Sequence, residues 1–263
     1  MPVKAGEASW TARRVAAQRL LFPRVPAGYG RPEDDQRLLA DVAGEVEIGD
    51  FGMARYLRAR TAFVDRSVVA ALAAGTPQAL VVGAGYDGRA LRYARPGVAW
   101  FELDHPDTQA DKRARLARLG IAAGHLTFVP AEIGVDDVPG MLAAAGHDAG
   151  RPTVVVVEGL VPYLAPEVFT GLLTDLAARA AAGATLVLEL PLVPRDDEAR
   201  ARRGRLERAV GERGEPLRSA VDAADIEHVL VATGWTPRHI RSPGGEPIAT
   251  STSSVAFIVA EPS

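Results

Sequence analysis

The chain has 263 residues, 30 Lys+Arg against 33 Asp+Glu for a formal charge of -3, 48% hydrophobic residues and no cysteine. The absent thiol excludes disulfides, thiolate zinc sites and a cysteine nucleophile, and the near-balanced, scattered charge gives no track for a nucleic-acid backbone. A chain of this length makes one large domain, or one domain with an appended helical cap.

In chain order, the N-terminus Met-Pro-Val-Lys-Ala-Gly-Glu lacks the apolar core of a signal peptide, and every uninterrupted apolar run is of strand length, so a soluble, cytoplasmic protein is expected. Residues 8 to 75 read as helical, broken by Pro23, Pro26, Gly28 and Gly30, and residues 1–75 are assigned to a cap or lid. From residue 76 to 263 a core domain is expected, in which short β-branched runs alternate with helical stretches. Strands are expected at Ala79 to Gly83, Val98 to Leu103, Leu126 to Val129, Thr153 to Glu158 and Thr185 to Leu190. The intervening helices fall at Gly88 to Ala94, Thr108 to Leu119, Val138 to Ala145 and Pro166 to Ala181. Val154 to Val157 shows no polar alternation, which places that strand centrally, buried on both faces. Arg195 to Arg218 reads as a charged helix within a helical segment at 195–233, and Asp222 to Thr233 as another. Gly234-Trp235 opens an extended region, and Ser253 to Ala260 forms a last strand reached through Pro243-Gly244-Gly245, suggesting a terminal hairpin. The expected fold is a doubly wound, mostly parallel α/β sheet.

Five features carry chemistry. Val82-Gly83-Ala84-Gly85-Tyr86-Asp87-Gly88 runs from strand into glycines and then helix, and Gly83, Gly85 and Gly88 fall on the dinucleotide spacing G-x-G-x-x-G. A tight turn with no ligand is the alternative. Asp104 ends the second strand about 20 residues further on, where an acid accepts the hydroxyls of a ribose, in a nicotinamide cofactor or in S-adenosylmethionine alike. Glu158 ends the valine strand, and a carboxylate there needs a cation or donors to offset its lost solvation. Glu132, with Ile133, follows the third strand where an exocyclic adenine amine would be read, and Arg60 in Arg58-Ala59-Arg60-Thr61 could meet a cofactor carboxylate. His105, His125, His147, His228 and His239 never take a two-ligand helical spacing, so no metal is expected. No G-x-S-x-G elbow or Gly-Lys-Ser/Thr phosphate loop occurs.

Taken in order, Arg60-Thr61, Gly83-Ala84-Gly85-Tyr86-Asp87, Phe101-Glu102-Leu103-Asp104-His105-Pro106 with Lys112, and Glu158-Gly159-Leu160-Val161-Pro162-Tyr163-Leu164 resemble the leucine carboxyl methyltransferase family. That family comprises class I S-adenosylmethionine-dependent methyltransferases, including bacterial and polyketide-methylating members. The resemblance spans roughly residues 8 to 190, and it implies a seven-stranded sheet with S-adenosylmethionine as cofactor. It departs at Gly88, which stands where the family's G-A-G-x-D-T-R has threonine. The resemblance implies that Gly83, Ala84 and Gly85 approach the cofactor, Asp104 holds its ribose, Glu132 and Ile133 border its adenine, and Glu158 lines the pocket floor. Arg60 would then pair with the methionine carboxylate, assisted by Arg13.

The activity so implied is O-methylation of a small-molecule acceptor, with no nucleic acid or membrane as partner. A carboxylate acceptor is ionised at neutral pH and needs no general base, whereas a phenol or alcohol gains from one, for which Tyr163 and His105 are the candidates. Two alternatives stay open from the residues alone: an NAD(P)-dependent oxidoreductase on the same glycine loop, and a non-catalytic binding module on a methyltransferase fold.

Overall fold

The computed structural model describes residues 8–46 and 53–263. The N-terminal heptapeptide and residues 47–52 of the expected cap lie outside the described residues. Seven strands form one sheet: β1 Gln78–Val82, β2 Ala99–Asp104, β3 Leu126–Pro130, β4 Thr153–Val157, β5 Thr185–Pro191, β6 Trp235–Arg241 and β7 Val255–Pro262. Their order across the sheet is β3-β2-β1-β4-β5-β7-β6. The first five are parallel, and β7 runs antiparallel between β5 and β6. The doubly wound, mostly parallel sheet and the terminal hairpin are therefore as expected.

The valine strand lies between β1 and β4's other neighbour, β5, and is buried throughout. Val155 and Val157 enter the core on one face, with Phe101, Phe169 and Trp235; Val154 and Val156 enter the core on the other, with Trp100, Val64 and Leu72. A run without polar alternation is what two such cores demand.

Helices α1 Trp10–Arg19, α2 Pro32–Ala43 and α3 Ala54–Ala73 precede the sheet. Their buried faces are unusual in carrying charge. On α3, Leu57, Arg60, Thr61, Val64, Asp65, Val68 and Leu72 are buried at helical spacing, so the stripe that packs on the sheet includes an arginine and an aspartate. The remaining helices are α4 Arg89–Arg92, α5 Pro106–Arg118, α6 Val138–Ala144, α7 Pro166–Ala177, α8 Asp197–Gly211 and α9 Ile226–Ala232. The charged helix is shorter than its composition suggests, because Gly211, Gly214 and Pro216 break it well before Arg218. α9 begins at Ile226 rather than Asp222, since the Asp222 carboxylate accepts the Ala224 N–H and holds a turn in front of it.

Candidate functional site

The strand order reverses at β1, with β2 on one side and β4 on the other, which opens a crevice at their carboxyl ends. The first wall of that crevice is the glycine loop. Gly83 (φ 67°) and Gly85 (φ 50°) take left-handed backbone that other residues resist. Space is tight as well: a Cβ on Gly83 would press on the Leu160 side chain at 3.1 Å, and one on Gly85 would lie 2.9 Å from the Ala12 Cβ of α1, where something must shift. The loop is thus held between the segment after β4 and a helix laid over it.

At the end of β2 the Asp104 carboxylate accepts the His105 N–H at 2.6 Å and the Gly85 N–H, tying the acid to the loop. Burial pushes this carboxyl upward in pKa, opposed by those two amides and by the Lys112 charge. Each oxygen has accepted one donor and has capacity for another, which suits a diol. Behind it, the buried Lys112 ammonium donates to Glu102 at 2.6 Å and to the Asp87 carbonyl at 2.6 Å, holding β2, α5 and the loop together.

The second wall is built around Glu158, one residue past β4. Three guanidiniums converge on its carboxylate: Arg89 at 2.6 Å, Arg60 at 2.8 Å and Arg19 at 2.9 Å. They hold it well below the usual carboxylate range despite burial. The charges continue outward. Arg19 also lies 3.6 Å from Asp87, and Arg89 reaches both Asp87 and, at 2.7 Å, Asp65. Arg24 clasps Asp65 through two bonds of 2.7 and 3.0 Å and meets Asp35 at 3.1 Å, where Arg92 joins it. On the other side, Arg60 lies 3.3 Å from Glu189, near the carboxyl end of β5, which also accepts the Gly159 N–H at 2.6 Å and the Tyr56 hydroxyl. Arginines 19, 24, 60, 89 and 92 are thereby matched one for one by Asp35, Asp65, Asp87, Glu158 and Glu189, so the buried network is neutral as a whole. Such an assembly is tolerable only while complete, because removing one partner strands a charge away from water.

Of the residues anticipated from sequence, Gly83, Ala84, Gly85, Asp104, Glu158 and Arg60 come together at this crevice. Glu132 and Ile133 lie in the loop after β3; the Glu132 N–H donates to Asp136, and Ile133 is buried in the core beside that loop. Arg13 donates to the hydroxyl of Tyr86, the residue after Gly85, at 3.4 Å and lies 4.0 Å from Asp111. His105 caps α5, its Nδ1 accepting the Asp107 N–H at 3.3 Å. Tyr163 sits in a 3-10 turn at Val161–Tyr163, and burial pushes its phenol up to about 12. Sequence reading missed Arg19, Asp65, Glu189 and Tyr56. A signal existed for Glu189, an acid inside a largely apolar strand, in β5 next to the position of Glu158 after β4. Among the described residues no group of three or more histidines or acids is placed to hold a metal. No helix among them is long and apolar enough to cross a membrane.

The family model described as leucine carboxyl methyltransferase matches residues 16–177. A relative from Mycolicibacterium gilvum, named among the S-adenosyl-L-methionine-dependent methyltransferases, is 35% identical over 201 residues, covering 74% of this chain and 62% of its own. The chain spans about half to three fifths of the length of the first curated relatives it matches, 62% and 50% for the first two. In fold it is similar to a duf574 family protein from Streptomyces avermitilis, with TM-score 0.64 and 18% identity over 98% of this chain and 99% of that one. A structure from Thermobifida fusca, titled as a methyltransferase, gives TM-score 0.63 and 16% identity over 98% and 96%.

Proposed function

The chain belongs to the leucine carboxyl methyltransferase family, and from that membership we propose that it is an S-adenosylmethionine-dependent enzyme methylating an oxygen of a small molecule. The observation that carries this reading is the meeting of the Gly83-Ala84-Gly85 loop, the Asp104 carboxylate and the Glu158 arginine cluster at the carboxyl ends of β1, β2 and β4. The residues fit the cofactor: Asp104 is buried at the crevice and each of its oxygens, having accepted one N–H, keeps unused acceptor capacity, as a ribose diol requires. Asp104 would hold the ribose hydroxyls, Ile133 would border the adenine with Glu132 beside its amine, and Arg60 and Arg19 would face the methionine carboxylate.

When bound, S-adenosylmethionine supplies an electrophilic methyl group on a sulfonium. The chain's own task is then to orient and to exclude water, which in general supplies much of the acceleration of such a transfer. Tyr163, pushed up to about 12 by burial, stays protonated at neutral pH and so does not serve as a base there. His105 caps the helix after β2, beside the ribose acid rather than beside Glu158. Glu189 is already occupied by three donors. These residues support an acceptor that arrives ionised, a carboxylate, over a phenol or alcohol.

Titrating the protein calorimetrically with S-adenosylhomocysteine and with NADH tests the cofactor. Heat with the first alone is expected, and heat with NADH alone would overturn the reading in favour of an oxidoreductase. Transfer of labelled methyl from S-adenosylmethionine to a panel of carboxylic acids and phenols then tests the acceptor; binding without transfer to either class would favour a non-catalytic module.

A further inference from the structure

α1 is fastened at both ends. At its carboxyl end, Arg19 reaches Glu158 and Asp87, and in its first turn Ala12 covers Gly85. At its amino end, the first turn of a helix leaves N–H groups without intrahelical partners. Ser9 accepts the N–H of Ala12 at 3.1 Å, but the N–H groups of Trp10 (2.9 Å) and Thr11 (3.3 Å), with the Thr11 hydroxyl, all go to the carboxylate of Glu215. Glu215 is buried, with 6% of its surface exposed, and comes from the turn after α8, more than 200 residues along the chain from α1. Two residues before it, the Arg213 guanidinium lies 4.1 Å over the Trp10 ring. That turn is anchored in its own right: the Arg218 N–H donates to the Pro162 carbonyl at 2.6 Å, and the Ser219 hydroxyl to Val161 at 2.7 Å. Both carbonyls belong to the 3-10 turn that follows Glu158. A carboxylate against a helix amino terminus gains from the helix dipole as well as from its hydrogen bonds.

We propose that Glu215 is a positioning residue for cofactor retention: it latches the first turn of α1, and so keeps Ala12 on the glycine loop and Arg19 at Glu158. The inference rests on the cofactor reading above. Opening the latch frees α1 to lift from the crevice without unfolding the sheet, so release of the cofactor product is governed by a residue that does not touch it.

The test compares wild type with Glu215→Ala, Glu215→Gln and Arg213→Ala in the full chain, by two measurements. Without ligand, hydrogen exchange of residues 10–19 is expected to accelerate in Glu215→Ala, while β1 and β4 keep their protection. With ligand, displacement of S-adenosylhomocysteine is expected to be about tenfold faster in Glu215→Ala, as loss of charge-assisted hydrogen bonds implies. Glu215→Gln, which keeps one acceptor oxygen, falls between, and decides the matter if the alanine variant does not fold. Arg213→Ala speeds release less. Unchanged release in a folded variant overturns the proposal, as does equal loss of protection in β1 and β4, which would make Glu215 a general stabiliser. If wild type binds no S-adenosylhomocysteine, the cofactor reading fails and the latch has nothing to retain; release that is unaltered while wild type binds well defeats the latch alone.

Discussion

The Asp35 carboxylate of α2 occupies the space that a side chain at Gly88 would need: a Cβ built there would overlap Asp35 Oδ1 and come within 2.6 Å of its Cγ. The backbone at Gly88 (φ -102°, ψ 11°) is open to any residue, so the demand for glycine comes from the neighbour alone. Asp35 cannot step aside, being wholly buried and bonded to Arg24 and Arg92. Gly88→Ala is therefore expected to cost about 1–3 kcal/mol, in the range of overpacked cores, and threonine, the residue of the family pattern, more. Urea denaturation measures it, and a neutral alanine variant would mean that the acid relaxes freely.

Arg13 and Arg19 lie on one short helix, but only Arg19 enters the cluster at Glu158. Arg19→Ala should weaken S-adenosylhomocysteine by about tenfold or more, the worth of a desolvated charge-assisted bond. Arg13→Ala, whose side chain is 31% exposed, should change affinity by less than about threefold. Calorimetry on both variants separates them, and the reverse ranking would give the cofactor contact to Arg13 instead of Arg19.

Burial pushes Glu102 up to about 7 from an ordinary 4.5, even with the Lys112 ammonium beside it. Between those two pH values the folded chain holds a proton that the unfolded chain has lost, so this group's contribution to stability declines as pH rises through the window. Lys112→Met removes the opposing attraction and extends the window upward. The variant should be destabilised more at pH 8 than at pH 5, and an equal loss at both would show that Glu102 is not the titrating group.

His147 shows the opposite sign. Its Nδ1 accepts from Arg179 at 3.4 Å and its Nε2 faces the Thr153 hydroxyl at 3.0 Å; burial and the Arg179 charge push the ring down from 6.5 to about 4. The unfolded chain takes up a proton first, so stability is full above about 6.5 and is lost as pH falls toward 4. His147→Gln should flatten the slope of stability against pH in that window, and an unchanged slope would place the acid sensitivity elsewhere.

The sheet was legible because its signals are local. Val154 to Val157 announces a strand buried on both faces, and the glycines that follow β1 announce a close approach, as Gly83 and Gly85 bear out in their backbone angles. The need of Glu158 for a cation was also readable from its position. What met that need was not: Arg19, Arg60 and Arg89 arrive from α1, α3 and α4, brought together by packing that no local pattern encodes. On α1 the apolar residues are mostly alanine, too small to mark which face is inward, so Arg13 and Arg19 could not be ranked. Glu215 was unreadable for a related reason, since its partners are backbone amides, which every sequence offers alike.

The placement of β7 between β5 and β6 has a consequence for the order of events during synthesis. Until residues 255–262 have emerged, the outer edge of β5 has no neighbour, and a nascent chain paused before them presents an open hydrogen-bonding edge to other chains. The same strand carries Phe257, whose ring stacks on Phe63 of α3 at 4.9 Å and on Tyr56 at 6.5 Å. Tyr56 and Arg60, one turn apart on α3, are the side chains that donate to Glu189. The acid-and-arginine cluster at the mouth of the sheet is thus backed by residues of β7, and a nascent chain in which β7 has not yet emerged would be expected to have its glycine loop but not yet its grip.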